Sequence, residues 1–167
     1  MSFYLTVREM KKLLHNLDGC LEKTVAYAAT RKFDPELLLQ FRLAPDMLPL
    51  VFQIQACCDQ AKFAAARGAS KDVPSHPDTE KTIAELRKRI ATVTTFLDTF
   101  TKADFDGMET RTLSLPRWEG KTMTAANYFT EHALPNFFFH ISMAYAILRH
   151  NGVDIGKRDF LGQLTFN

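Results

Sequence analysis

Residues 123–150, MTAANYFTEHALPNFFFHISMAYAILRH, constrain the fold more than any other stretch. They are almost wholly apolar, yet His132, Asn136 and His140 recur in them at intervals of four. On an α-helix each such step turns the side chain by about 40°, so the three share one narrow stripe. Phe129, Met143 and Ile147 fall in the same arc, while Leu134, Phe138, Ile141, Tyr145 and Leu148 form a second arc on the other side. A helix in a small bundle buries one stripe, so a second calls for further cover: a hairpin, the tail of the chain or another copy of it. A homodimer is expected on that ground. Polar groups set in an apolar stripe need a hydrogen-bond partner, a water, a metal or a ligand. Pro135 has no backbone donor and clashes with the carbonyl one turn back, so a bend is expected beside Asn136.

Three further segments carry helical periodicity. Residues 3–28 place Phe3, Val7, Met10, Leu14, Leu17, Leu21 and Ala28 on one face, with Ser2 as N-cap and His15 solvated among charges on the other. Asp34-Pro35 starts a short helical turn through Leu39. A second helix is predicted from Pro45 to Arg67, stopped by Gly68, with Gln55, Asp59 and Lys62 facing water. Gln53, Cys57 and Gln60 lie on another line of that helix, bordered by apolar residues, and are candidates for burial. Residues 68–77 form a loop that carries His76. A third helix is predicted from Asp78 as N-cap, and its stripe of Ile83, Leu86, Ile90, Val93, Leu97 and Phe100 is bundle core without chemistry. Between 104 and 122 the helical period fails, and RTLSL, PRWEG and KTMT read as a hairpin laid against the helices. Trp118 either packs there or lines the mouth of a pocket. The fourth helix then runs from Thr122 or Thr124 to His150, with Gly152 just past its end and Phe160 and Leu161 folding back on the bundle.

The expected fold is therefore all-α, an antiparallel four-helix bundle with a small hairpin before the last long helix, in one domain over residues 1–167. A formal charge of +2, with scattered lysines, argues against nucleic acid. No apolar run reaches the roughly 18–20 residues of a membrane span without a charge, Asn or Pro. The N-terminal MSFYLTVREMKK lacks a secretory apolar core. Cys20, Cys57 and Cys58 are an odd set with two neighbours, which is no disulfide framework and fits a reducing, cytoplasmic compartment.

APDMLPLVFQ, LPNFFFH and AYAILRHNGVDIGKRDFLG resemble a bacterial domain family of unknown function within the DinB-like superfamily. The likeness runs over nearly the whole chain, most specifically at its C-terminal motif. It implies an up-down-down-up four-helix bundle, often dimeric. Many members bind a divalent metal through one histidine of the second helix and an H-x-x-x-H pair of the fourth, and characterised relatives include thiol-dependent transferases and isomerases. Carried over, His140 matches the second histidine of the pair, Asn136 stands at the first and Gln53 stands near the second-helix position. A zinc or nickel site of His140, Asn136 and Gln53 is thus degenerate, because amide oxygens are weak ligands for these metals. His132 could replace Asn136.

Three readings of the stripe follow. Its polar groups are satisfied core residues, with His140 bonded to Gln53 or to a carbonyl freed by Pro135. Or they line a small-molecule pocket with Gln53, Cys57, Trp118 and Phe129. Or they hold a divalent metal that serves a transferase or hydrolase. Cys57 facing His140 would add a thiolate–imidazolium pair. The binding reading is preferred, with a metal-dependent enzyme and a purely structural homodimer as alternatives.

Overall fold

The computed structural model describes residues 2–166. Helix α1 (Phe3–Arg31) starts where Ser2 Oγ accepts from the Leu5 N–H, and it buries Val7, Met10, Leu14, Leu17, Leu21 and Ala28 as the periodicity predicts. It runs three residues further than expected, to a left-handed Lys32 at φ 59°. A 3-10 turn (Pro35–Gln40) follows, opened by the Asp34 carboxylate on the Glu36 N–H. Helix α2 (Leu50–Gly68) begins five residues later than expected. Inside a helix, Pro49 would lack its donor and strike the carbonyl of Pro45. Instead Pro49 is the N-cap, and Ala44–Met47 is a turn closed by a 3.0 Å bond.

Helix α3 (Ile83–Leu97) is capped by Thr82, not Asp78. Thr82 and Glu85 close a reciprocal capping box, which satisfies two backbone donors at once and so outcompetes the earlier start. The hairpin is present in miniature: β1 (Thr112–Leu113) pairs antiparallel with β2 (Met123–Thr124), Thr112 opposite Thr124. Thr124 then caps α4 (Ala125–Asn127), which continues through a π-helical turn (Tyr128–Ala133) into α5 (Leu134–His150). The irregularity expected at Pro135 takes the form of that wide turn, in which the Leu134 N–H bonds back five residues to Phe129 O. A regular helix would strand the Glu131 carbonyl against the proline ring; the wide turn relieves both faults. Gly152 ends α5 at φ +90°, where a Cβ would meet Tyr27 Oη at 2.6 Å. Short helix α6 (Lys157–Leu161) then returns to α1, through Asn16 Nδ2 to Phe160 O at 2.9 Å and Lys23 to Asp159 at 2.7 Å.

One apolar cluster draws on α1, α2, α3, α5 and the hairpin end, and α2 packs most extensively on α5 and α3. Ala61, Ala64, Ala65 and Ala66 let those neighbours come close. The stripe of Ile83, Leu86, Ile90, Val93, Leu97 and Phe100 is buried as expected. No described helix is long and apolar enough to cross a membrane.

The line of α2 expected to face water does not. Lys62 is 2% exposed and Gln55 is buried. Their cover is Arg89 of α3, 4% exposed, whose guanidinium meets Asp59 at 3.0 Å, Asp78 at 2.9 Å and Glu80 at 3.0 Å. Lys62 pairs with Asp59 at 2.8 Å, and Gln55 donates to Glu80 at 2.9 Å. Burial works to raise the Glu80 carboxyl, but the bonds from Gln55 and Arg89 outweigh it and hold it below the usual range. Removing one member of such a cluster leaves the others buried and uncompensated. Arg89→Ala is expected to lower stability by about 3–5 kcal/mol in urea unfolding. Arg8→Ala, which breaks an exposed 3.0 Å pair with Asp98, should cost under about 1 kcal/mol.

Candidate functional site

His140 projects from α5 toward the first turn of α2. Its Nδ1 lies 2.8 Å from Gln53 Oε1, and Gln53 Nε2 donates in turn to Leu48 O at 2.9 Å. The chain of bonds sets the chemistry. Gln53 must point its NH2 at the Leu48 carbonyl, so its oxygen faces the ring and Nδ1 is the protonated nitrogen. Nε2 is left with a bare lone pair. The ring is half-buried, with Phe52 at 5.8 Å and Phe139 at 5.2 Å both edge-on to it. Burial pushes the imidazole below its ordinary pKa, which favours this neutral form.

The rest of the stripe goes elsewhere. Asn136 is half-buried one turn earlier, and its side chain makes no hydrogen bond among the described residues. His132, eight residues before His140, lies about 12 Å away along the helix. Its Nε2 accepts from Arg117 Nη2 at 2.6 Å, and its ring stacks on Tyr128 at 5.3 Å and 17°. Trp118 tilts over Tyr128 at 6.1 Å, so it joins the His132 group. Phe129 is fully buried, edge-on to Phe3 at 5.3 Å, and fills core. Cys57 is fully buried too; its thiol donates to Ile54 O at 3.2 Å, and burial pushes its pKa well up. It forms no pair with His140. Four of the seven residues singled out thus fall into two spots, Gln53 with His140 and Trp118 with His132, while Asn136, Phe129 and Cys57 join neither.

Among the described residues no group of three or more His, Cys, Asp or Glu side chains could hold a metal ion. His140 Nε2 is the one imidazole nitrogen of the Gln53 spot still open, and the Gln53 oxygen is already engaged by Nδ1–H. That donor set does not fit zinc or nickel.

Sequence reasoning missed two polar groups. The first is the cluster of Gln55, Asp59, Lys62, His76, Glu80 and Arg89, beside a cavity of about 260 Å³. Its signal was available: Arg89 sits three residues after Leu86 and four before Val93, a charge on the very stripe expected to be dry. The second is Arg67, Arg117 and Tyr128, where Arg67 Nη1 donates to Tyr128 Oη at 2.7 Å.

A family model described as "Domain of unknown function (DUF1993)" matches residues 3–161. The chain belongs to this family. No curated protein matches it. Within the DUF1993 reading, the chain is also similar to a crystal structure of a DinB family member protein from Shewanella denitrificans. The two share 46% identity with a TM-score of 0.95, over 99% of this chain and 94% of that one. The DinB likeness read from the C-terminal motif is borne out.

His76, His132 and His140 are all held below 6.5, each by burial first; Lys62 and Arg89 add to it at His76, and Arg117 and Arg67 at His132. In the unfolded chain these rings take protons as the pH falls through about 6.5, while the folded protein resists. Their contribution to stability is therefore complete above that pH and is lost below it. The urea midpoint should fall between pH 7 and pH 5, and His140→Gln should flatten that slope.

Proposed function

We propose that this DUF1993 protein is a cytoplasmic homodimer of up-down-down-up four-helix type that binds a small amphipathic molecule at His140 without a resident metal. The observation that carries the reading is the Leu48–Gln53–His140 bond chain. A buried glutamine, itself fixed, presents an imidazole in one tautomer with its acceptor nitrogen free beside two aromatic edges. Such preorganisation is what a ligand site needs: apolar walls and a single oriented polar anchor. The matching ligand carries a hydroxyl, amide or amine donor on an apolar body. Phe139, 51% exposed and edge-on to the ring, and the exposed Leu48, whose carbonyl holds Gln53, lie next to that anchor, and a second copy laid over them would complete the cover.

One observation favours a second reading, a divalent-metal-dependent transferase or hydrolase. An Nδ1–H donated to an amide oxygen, with Nε2 free, is also how metal-binding imidazoles are oriented. The remaining donors, Asn136 and an occupied Gln53, argue against it. A purely structural homodimer is left if neither ligand nor metal binds.

Metal analysis of protein purified without a histidine tag, wild type and His140→Ala side by side, separates the first two readings. Equal, low metal in both is expected. A screen of amphipathic compounds by thermal shift should yield one that stabilises wild type, by about 2.7 kcal/mol at a hundred times its Kd, and not His140→Ala. Stabilisation kept in the variant would overturn the reading. Light scattering is expected to give a dimer mass, and a monomer would count against the proposed assembly.

A further inference from the structure

Arg67 of α2 and Arg117 of the hairpin turn differ from the ion-paired cations Lys62, Arg87 and Arg89, and also from Arg111, which is spent on the carbonyls of Gly68 and Asp106. Among the described residues neither lies within 4 Å of a carboxylate oxygen, whereas Lys62, Arg87 and Arg89 are each paired. Their partners are neutral: Tyr128 Oη at 2.7 Å from Arg67 and His132 Nε2 at 2.6 Å from Arg117. Those two acceptors belong to rings stacked on each other at 5.3 Å, so both arginines bear on one stacked pair, and the charges of both act on Tyr128 and on His132. Glu119 and Glu131 are the nearest acids in sequence, and both are exposed and bridge to neither arginine.

Arg67 is also built to stay in place. Arg67 lies over Phe63 at 4.2 Å and over the Tyr128 ring at 5.4 Å, which fixes the plane of its guanidinium. Tyr128 is fully buried and carries Trp118 at 6.1 Å. His132 cannot share the charge as an imidazolium, since its Nε2 lone pair is taken by Arg117. Its Nδ1 is buried with no hydrogen-bond partner among the described residues. Two cations without a carboxylate partner, converging on one stacked pair, suit a doubly charged oxyanion, which accepts from two guanidinium forks at once.

We propose that Arg67 and Arg117 form a second binding site, distinct from His140, that takes the phosphate group of a small phosphorylated molecule. Arg117, exposed on the hairpin, closes on the anion, and Arg67 receives it from the helix side. The site does not depend on the His140 reading, from which it is separated by about 12 Å of helix.

Trp118 is the only tryptophan and sits on this cluster, so its fluorescence reports occupancy directly. Inorganic phosphate is titrated into the full chain, with sodium chloride at matched ionic strength as reference and acetate as a singly charged comparison. A saturating change in Trp118 emission is expected with phosphate, together with a rise in Tm. Arg117→Gln and Arg67→Gln should each weaken it by roughly tenfold or more, Arg117→Lys less, and His140→Ala not at all. Arg117→Gln alters an exposed residue, so it keeps the test valid if Arg67→Gln unfolds. A phosphate curve that follows the chloride curve, or an Arg117→Gln curve that follows wild type, would overturn the site. Acetate binding as tightly as phosphate would overturn its assignment to a dianion.

Discussion

The burial of α2 is the constraint from which the rest of this structure follows. The helix runs through the middle of the molecule, against α5 on one side and α3 on another, so most of its circumference is out of reach of water. Yet it carries Gln53, Gln55, Asp59, Gln60, Lys62 and Arg67. A buried polar group left alone costs about 1–3 kcal/mol, and a buried charge more. Each of the polar spots described is therefore the answer of a neighbouring element to one residue of α2. His140 of α5 answers Gln53, Glu80 answers Gln55, Arg89 of α3 answers Asp59, and Tyr128 answers Arg67. Gln60 Oε1 is buried without a hydrogen bond, and unlike Asp59 Oδ1 it has no ion pair among the described residues.

This explains how far the sequence could be read. The core-facing stripes of α1 and α3 were legible because apolar spacing on a helix reports one thing, a single dry face. The start signals at Ser2 and at Asp34-Pro35 are equally plain, being local, whereas the start of the fourth helix is left between Thr122 and Thr124 and the structure puts its cap at Thr124. What failed was the inference that Gln55, Asp59 and Lys62 face solvent because they are polar. On a helix covered from two sides, polarity reports a partner in the tertiary structure, and no partner can be read from α2 alone. The start of α3 was misplaced for a related reason: Asp78 is a good cap in isolation, but its carboxylate is drawn to Arg89.

The stripe of His132, Asn136 and His140 shows a subtler limit. Regular α-helical spacing puts all three on one face, but a face can be long, and His132 falls in the π-helical turn. At about 1.5 Å of rise per residue, two turns of helix separate the two histidines by about 12 Å, enough to give them different neighbours. His140 meets the N-terminal turn of α2, and His132 lies by the hairpin with arginines that periodicity never linked to it. At Pro135 the sequence predicts a bend; the structure shows a wide turn at Tyr128–Ala133, by which the backbone accommodates the proline. The Gln53–His140 pair, by contrast, was anticipated as a contact across the helices, because both residues were polar exceptions on apolar lines.

The docking of α6 on α1 carries a consequence for how the chain comes off the ribosome. The bonds from Asn16 to Phe160 and from Lys23 to Asp159 join residues 144 and 136 positions apart. At cellular synthesis rates the first helix emerges on the order of ten seconds before its last cover does. During that interval the strip of α1 beneath Phe160 is bare, and the nascent protein must either wait in a loosely closed form or be shielded by a chaperone until its own final turn arrives.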